Sequence, residues 1–364
     1  GSADSKITIT NETNDYAIDL DGAFTSNNNL IEINTDPSGG STNIDLNPDD
    51  SGSVYNVIID VAGQTDNVVL QEACTISNQL NIDYGDFDTN NKTLTVTGEL
   101  LIGGSGEFDG GDDTVDHSFG AIDLNNGGNF IGSKESKITI TDESSGYALD
   151  LDSVNFNANS NTIEINTAAD TLIDIIHVQQ NCPYNLIIDT NGYTVTSSDA
   201  SSTVGNNLTI ESGILEITDS FYTNNMSIDS GAEFDIKSDS ILTIQNDGTL
   251  TLNGYFKITS GDAINLNLTG ESTRFNLTNG NNIQLHKTPS QPSDPIGWIN
   301  IGKYVNLTSI GVSPTVDINI TYLDSNLGSI DETTLVMREY NWSEGLWSTA
   351  SDTGVDTTNN YIYA

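Results

Sequence analysis

Along most of this chain apolar residues fall on alternate positions. The triplets Ile7-Thr-Ile9, Ile18-Asp-Leu20, Ile31-Glu-Ile33 and Ile44-Asp-Leu46 open the series. It continues through Leu80-Asn-Ile82, Leu94-Thr-Val96, Leu208-Thr-Ile210, Leu215-Glu-Ile217, Met226-Ser-Ile228, Phe234-Asp-Ile236, Leu242-Thr-Ile244, Leu250-Thr-Leu252 and Phe256-Lys-Ile258. Side chains of a strand alternate between its faces, so each triplet predicts a short strand with one face inward. Val57-Ile-Ile59 departs from this, being apolar on both faces. Between Leu208 and Ile258 the triplets start every six to eleven residues, separated by Asn, Asp, Gly and Ser, the residues of turns. No long window carries the helical period with caps, and the chain is expected to be all-β.

The pattern repeats. Ser5-Lys-Ile-Thr-Ile-Thr10 returns as Ser136-Lys-Ile-Thr-Ile-Thr141, an offset of 131, and Gly1-Ser2 returns as Gly132-Ser133. Tyr16-Ala-Ile-Asp-Leu-Asp21 returns as Tyr147-Ala-Leu-Asp-Leu-Asp152, and Ile31-Glu-Ile-Asn-Thr35 as Ile163-Glu-Ile-Asn-Thr167. Tyr55-Asn-Val-Ile-Ile-Asp60 matches Tyr184-Asn-Leu-Ile-Ile-Asp189, and a degenerate third start is visible at Lys257-Ile-Thr259. Repetition with short strands predicts a parallel β-helix, or β-solenoid, in which each strand stacks on its counterpart in the next coil. One β-sandwich per long repeat is the rival. The expected divisions are solenoid repeats at 1–131 and 132–251, a degenerate third at 252–288, and a small C-terminal β-sandwich at 296–364. Lys287-Thr-Pro-Ser-Gln-Pro-Ser-Asp-Pro295 marks the last boundary, because repeated Pro cannot serve an internal ladder. The tail holds all three Trp and longer strand candidates at 298–307, 316–322, 334–340 and 360–363.

Charge narrows the function. Asp plus Glu number 52 against 10 Lys plus Arg, a formal charge of −42, and only 35% of residues are apolar. Such a composition would signal disorder were it not for the strand periodicity. A narrow solenoid needs only one thin apolar strip per strand, so it can form a core from this little. Nucleic acid and anionic membrane surfaces are excluded as partners by the shortage of cations. No apolar run approaches the roughly 18 residues of a spanning helix, so membrane insertion is not expected. The opening Gly1-Ser2-Ala3-Asp4-Ser5 is no signal peptide and reads as a mature, trimmed or internal start.

Two stretches resemble known proteins. Asn91-Lys-Thr-Leu-Thr-Val-Thr-Gly98, Gly104-Ser-Gly-Glu-Phe-Asp109 and Gly128-Asn-Phe-Ile-Gly-Ser133 are similar to repeats of extracellular right-handed parallel β-helix surface proteins of bacteria and archaea. Ile299-Asn-Ile-Gly-Lys-Tyr-Val-Asn306, Ile320-Thr-Tyr322, Ile330-Asp-Glu-Thr-Thr-Leu335, Trp347 and Val355-Asp-Thr-Thr-Asn-Asn-Tyr361 resemble their C-terminal β-sandwich module, in which one further strand usually follows. The resemblance implies a secreted structural or adhesive role at the cell surface and supplies no catalytic residues.

Asp109, Asp112, Asp113 and Asp116 sit in the Gly- and Asp-rich stretch 103–116 and are the candidate ligands for Ca²⁺, which takes several oxygens on a flexible loop. Their spacing matches neither an EF-hand nor a β-roll, and a solvated turn is the alternative. A polysaccharide lyase needs a cation or base beside its carboxylates, and Arg274 and Arg338 are the only arginines. A glycosidase needs two carboxylates about 5–10 Å apart, and carboxylates are everywhere. His117, His177 and His286 have neither zinc nor triad spacing. Cys74 and Cys182 are too few for a disulfide framework; a bridge, free buried thiols and an intersubunit bond all remain open. Nine Asn-X-Ser/Thr sequons, from Asn11 to Asn341, permit glycosylation. Trp342 and Trp347 are either sandwich core or a sugar platform.

The expected function is therefore a non-enzymatic structural protein of the cell exterior, polymerising with copies of itself into a sheath, surface layer or filament. An adhesin or carbohydrate-binding protein that contacts cell-surface glycans is the second reading, and a polysaccharide-degrading enzyme the third.

Overall fold

The structure is a computed structural model. It describes residues 5–11, 16–21, 24, 28–35, 40–48, 52–61, 67–112, 114–124, 127–151, 155–157, 159–175, 182–198, 201–237, 240–245, 250–252, 255–258, 263–268, 271–277, 283–285, 307–309, 316–321, 327–341, 344–358 and 360–364, with the backbone alone between 250 and 321. Asp113, His177, His286, Trp298, Trp342 and the Pro-rich segment 287–295 lie outside the described residues. The chain divides into two compact units, Gly1–Leu215 and Glu216–Ala364.

Unit 1 is a parallel β-solenoid. Its strands are β1 (Lys6–Ile9), β2 (Tyr16–Ile18), β3 (Leu30–Ile33), β4 (Ser41–Ile44), β5 (Val54–Asp60), β6 (Asn67–Leu70), β7 (Cys74–Asp88), β8 (Leu94–Asp109), β9 (His117–Leu124), β10 (Asn129–Ile131), β11 (Lys137–Ile140), β12 (Tyr147–Asp150), β13 (Phe156–Asn157), β14 (Thr162–Ile165), β15 (Thr171–Asp174), β16 (Asn185–Ser197) and all but the last two residues of β17 (Ser201–Ile217). They stack into three walls. Wall 1 takes Ile7, Ile31, Val57, Leu80, Leu100, Ile122 and Leu149 in successive coils. Wall 2 takes Thr42, Val68, Phe87, Phe108, Phe130 and Phe156. Wall 3 takes Ile76, Val96, Phe119, Ile140, Ile165 and Ile188. A coil takes from 19 residues (67 to 86) to 27 (122 to 149).

The rival of one sandwich per repeat is therefore set aside, and each strand stacks on its counterpart in the next coil as expected, with a coil much shorter than the 131-residue repeat. Lys6 pairs with Leu30, not with Lys137. From Lys6, wall 1 is crossed again at Leu30, Asn56, Gln79, Glu99 and Ala121. The chain then passes Asn129 on wall 2 and reaches Lys137 on wall 3. The offset of 131 residues thus spans five coils and two further walls, and the second copy begins on a different wall from the first. A wall asks only for an inward apolar residue at every second position, so one sequence serves on either. The strands are also longer than the triplets suggested. β7 and β8 each run 15 to 16 residues across all three walls. They bend at corners where Gly85 (φ 83°) and Gly104 (φ 59°) take left-handed backbone.

Side chains tie coil to coil outside as well. In the first copy Lys6 Nζ lies 2.5 Å from Glu32 and Thr8 Oγ1 donates to the same carboxylate at 2.8 Å. In the second, Lys137 and Thr139 hold Glu164 at 2.9 and 3.0 Å. That contact gives the repeated Lys-Ile-Thr its purpose. Gln79 Nε2 donates to Glu99 at 2.6 Å and Gln71 Nε2 to Asn43 at 2.8 Å.

Unit 2 continues with β18 (Ser220–Ile228), β19 (Glu233–Ile236), β20 (Ile241–Ile244), β21 (Leu250–Leu252), β22 (Tyr255–Ile258) and β23 (Ala263–Leu268). These pair in parallel: β18 with β20 and β21, β19 with β22, β20 with β23. Phe221, Phe234, Ile236, Leu242 and Ile244 are fully buried. Lys237 bridges Asp235 (2.7 Å) and Glu216 (3.5 Å). Pairing then turns antiparallel. β24 (Glu271–Leu277) lies on β23, β25 (Ile283–Leu285) pairs β26 (Leu307–Ser309), and β27 (Val316–Thr321) pairs β24. β28 (Arg338–Asn341) pairs β29 (Leu346–Thr349), and β31 (Tyr361–Tyr363) joins β27 to β30 (Gly354–Asp356). Where a strand over 334–340 was expected, Asp331 caps a 3₁₀ turn at Glu332–Thr334 by accepting from Thr333 N–H, and the strand starts only at Arg338.

Candidate functional site

The expected calcium residues lie at the corner after wall 2. Asp109 ends β8, and its Oδ1 accepts from Gly111 N–H at 2.9 Å. One coil earlier Asp88, in register with Asp109, accepts from Asn90 N–H at 2.6 Å; farther along, Asn157 accepts from Asn159 N–H at 3.2 Å. These are Asx turns, and they close the corner coil after coil. Gly111 has φ 89°, and a Cβ on Gly110 would meet Ser133 N at 2.6 Å. The glycines here let one coil pass tightly over the next. Asp116 turns elsewhere, its Oδ1 accepting from Lys137 N–H at 2.8 Å. Asp88, one coil earlier, lies close enough to Asp109 and Asp112 for their charges to act on it. Burial raises the Asp88 carboxyl above its ordinary range, the charges of Asp109 and Asp112 raise it further, and the Asn90 hydrogen bond opposes both.

Among the described residues the carboxylates that converge most closely are a different set. Oxygens of Asp19, Asp21 and Asp45 lie within 4.8 Å of one another. β2 and β4 place them: Ile18 pairs Ile44, so Asp19 and Asp45 follow in step, and Asp45 N–H donates to Ile18 O at 2.9 Å. Asp45 is buried and accepts from Asn47 N–H at 2.8 Å. Burial raises its pKa, the Asn47 bond lowers it, and the charges of Glu72, Asp19 and Asp21 raise it again. The Asp19 carboxyl, though exposed, is raised by partial desolvation first, then by the charge of Asp21. Hard oxygen donors so grouped suit a divalent cation or a shared proton. The signal was present in the sequence, since Ile18-Asp-Leu20 recurs as Ile44-Asp-Leu46 one coil later. The 131-residue repeat masked it.

His117 is a core histidine. It is 2% exposed on wall 3, edge-on to Phe108 (5.8 Å) and stacked with Phe119 (6.3 Å). Nδ1 accepts from Leu94 N–H and Nε2–H donates to Gly110 O, each at 3.3 Å, which fixes the neutral tautomer. Burial lowers its pKa, against the Gly110 bond and the charge of Asp116. The folded state therefore binds fewer protons than the unfolded chain, and this contribution to stability falls as pH drops below the unfolded value of about 6.5. His117→Gln should be less stable than the parent at pH 8, with the gap narrowing toward pH 5. Carboxylates common to both proteins cancel in that difference, so a pH-independent gap in denaturant midpoint would contradict the assignment.

Both cysteines are buried and no disulfide joins Cys74 to Cys182. Burial pushes Cys74 up to about 12 and Cys182 up to about 11, so neither is nucleophilic at neutral pH. In the tail Trp347 lies 5.1 Å from Tyr340 across the β28–β29 pair, with Leu346 exposed beside it. No protein-family model, curated protein or solved structure matches the chain.

Proposed function

We propose that this chain is a non-enzymatic structural protein of the cell exterior that assembles with copies of itself into a sheath, surface layer or filament. The coil-upon-coil parallel stacking carries this reading. A stack of parallel coils has ends, and unpaired strand edges there invite a further strand. Side-chain contacts such as Lys6–Glu32 and Gln79–Glu99 tie neighbouring coils together on the outside, which suits a load-bearing role. The described lysines that form ion pairs (Lys6, Lys137 and Lys237) are bound to acids of their own walls, leaving the surface strongly anionic.

With a charge of −42 on each copy, association must work against repulsion that salt screens. Light scattering across protein concentration should show masses above 38.9 kDa that grow with concentration. A chelator in low salt should shrink them, and Ca²⁺ or added salt should restore them. A chain that stays monomeric under all these conditions would exclude the assembly reading. Indifference to chelator and salt would make the charge a solubilising surface only.

A further inference from the structure

β16 carries the pair Asn191–Gly192 in mid-strand. Burial alternates along the strand as far as Thr190, then Asn191, Gly192 and Tyr193 are all exposed, and alternation resumes from Thr194. Asn191 (φ 50°) and Gly192 (φ 103°) both take left-handed backbone, so the chain turns a corner here. The base of that corner is packed. Thr190 is buried and its Oγ1 donates to Tyr193 O at 2.7 Å. β17 passes against it at Gly213, where a Cβ would lie 2.0 Å from Thr190 Oγ1 and 2.7 Å from Tyr193 O. The tip of the corner is open. The Asn191 carboxamide has no hydrogen-bond partner among the described residues, and nothing lies within 4 Å of a Cβ built on Gly192. The main chain of Asn191 is tied down: its N–H donates to Ser212 Oγ at 2.7 Å, and the Ser212 hydroxyl donates to Asp189 at 2.6 Å.

We propose that Asn191 is a site of spontaneous deamidation through a five-membered succinimide ring closed with Gly192. Gly192 N attacks Asn191 Cγ. The new N–Cγ bond replaces the bond from Cγ to the amide nitrogen, which leaves as ammonia with the Gly192 proton. Water then adds to one of the two ring carbonyl carbons, and the bond from that carbon to nitrogen breaks. Opening at Cγ leaves the main chain intact, with the imide's main-chain carbonyl still bonded to Gly192 only if the ring reopens on the side-chain side, and so gives aspartate at 191. Opening at the main-chain carbonyl gives isoaspartate, in which the chain runs through the former side chain. Glycine favours the ring because it has no side chain to crowd its nitrogen. Asp109–Gly110 holds the atoms for the same ring, and the fold withholds them. Asp109 Oδ1 accepts from Gly111 N–H at 2.9 Å, and Gly110 N–H donates to Ile131 O at 2.8 Å. The two products at 191 act differently on the fold. Aspartate adds one negative charge at an exposed tip, two residues from Asp189, and leaves the backbone path alone. Isoaspartate adds a backbone carbon between Thr190 and Tyr193, whose spacing is fixed by their hydrogen bond and by Gly213 beneath. Isoaspartate therefore loosens β16 against β17.

Ageing the full chain tests this. The folded protein is kept warm at mildly alkaline pH, then digested and mapped by mass spectrometry. A synthetic peptide of residues 187–195, treated alongside, sets the rate without the fold. The fragment holding Asn191 should convert to two products of equal mass, each heavier by the exchange of NH2 for OH. One of them should be a substrate of an isoaspartyl methyltransferase, and the Asp109 fragment should stay unchanged. Asn191→Gly accepts the same backbone and has no amide to lose. It should keep the parent circular dichroism and form no isoaspartate at 191. Aged parent should show a population with a lower denaturant midpoint, absent from aged Asn191→Gly and from fresh Asn191→Asp. An Asn191 that keeps its amide while the peptide converts overturns the proposal, because the fold then protects the pair. Conversion confined to Asn126, Asn253 or Asn279, the other asparagines followed by glycine, overturns it equally. A weakened population that also forms in aged Asn191→Gly overturns the loosening of β16.

Discussion

Phe108→Ala should lower the stability of unit 1 by about 3–5 kcal/mol, the usual cost of emptying a buried phenylalanine site. Phe108 is the centre of an aromatic column on wall 2. Its ring stacks on Phe87 at 6.4 Å and Phe130 at 5.0 Å, and Phe130 stacks on Phe156 at 4.9 Å. Phe119 and His117 meet it edge-on from wall 3 at 5.7 and 5.8 Å. All four column members are fully buried. Removing the middle ring takes support from four neighbours, and the backbone ladders above and below keep the coils from closing the gap. Phe108→Leu should cost under about 1.5 kcal/mol, since most of the volume stays. Denaturant unfolding followed by far-ultraviolet circular dichroism reads the difference. Equal losses for Ala and Leu would mean the column is not a packed core.

The second large effect is expected at Gly106, where the chain turns from wall 1 to wall 2. A Cβ there would lie 2.1 Å from Ile82 O and 2.9 Å from Ile82 Cγ2. The obstacle is backbone of the preceding coil, fixed by its own ladder, so it cannot swing away. Gly128 meets the same obstacle one coil later, with Ile102 O at 2.4 Å. Gly106→Ala should cost about 1–3 kcal/mol by overpacking, and Gly106→Val more. Gly103→Ala is the matched control. Its nearest atom would be Asp83 Oδ1 at 3.9 Å, and its change should stay within about 0.5 kcal/mol. If the two alanine variants unfold at the same denaturant concentration, close coil stacking is not what Gly106 serves.

At the corner after wall 2 Asp109 closes an Asx turn and Gly110 makes room for Ser133. An aspartate beside glycines carries the same letters in a turn or in a cation loop, so the sequence names these residues and not their role. The approach of Asp19, Asp21 and Asp45 is set by Ile18 pairing with Ile44, a register one coil apart that shows in sequence only as the recurrence of Ile-Asp-Leu.

Strand identity needed only local information. Alternation along Ile7-Thr-Ile9 or Leu242-Thr-Ile244 fixes which side chain points inward, because the pleat has period two whatever the strand packs against. The all-β class, the polar outer faces and a core sustained by 35% apolar residues follow from that alone. The partner of each strand does not. Ser5–Thr10 and Ser136–Thr141 are the same six residues, yet one lies on wall 1 against β3 and the other on wall 3 between β9 and β14. Corner turns and coil lengths of 19 to 27 residues set that difference by summing over many coils. The sequence determined the strip of apolar residues that each strand buries, and the tertiary structure decided what that strip faces.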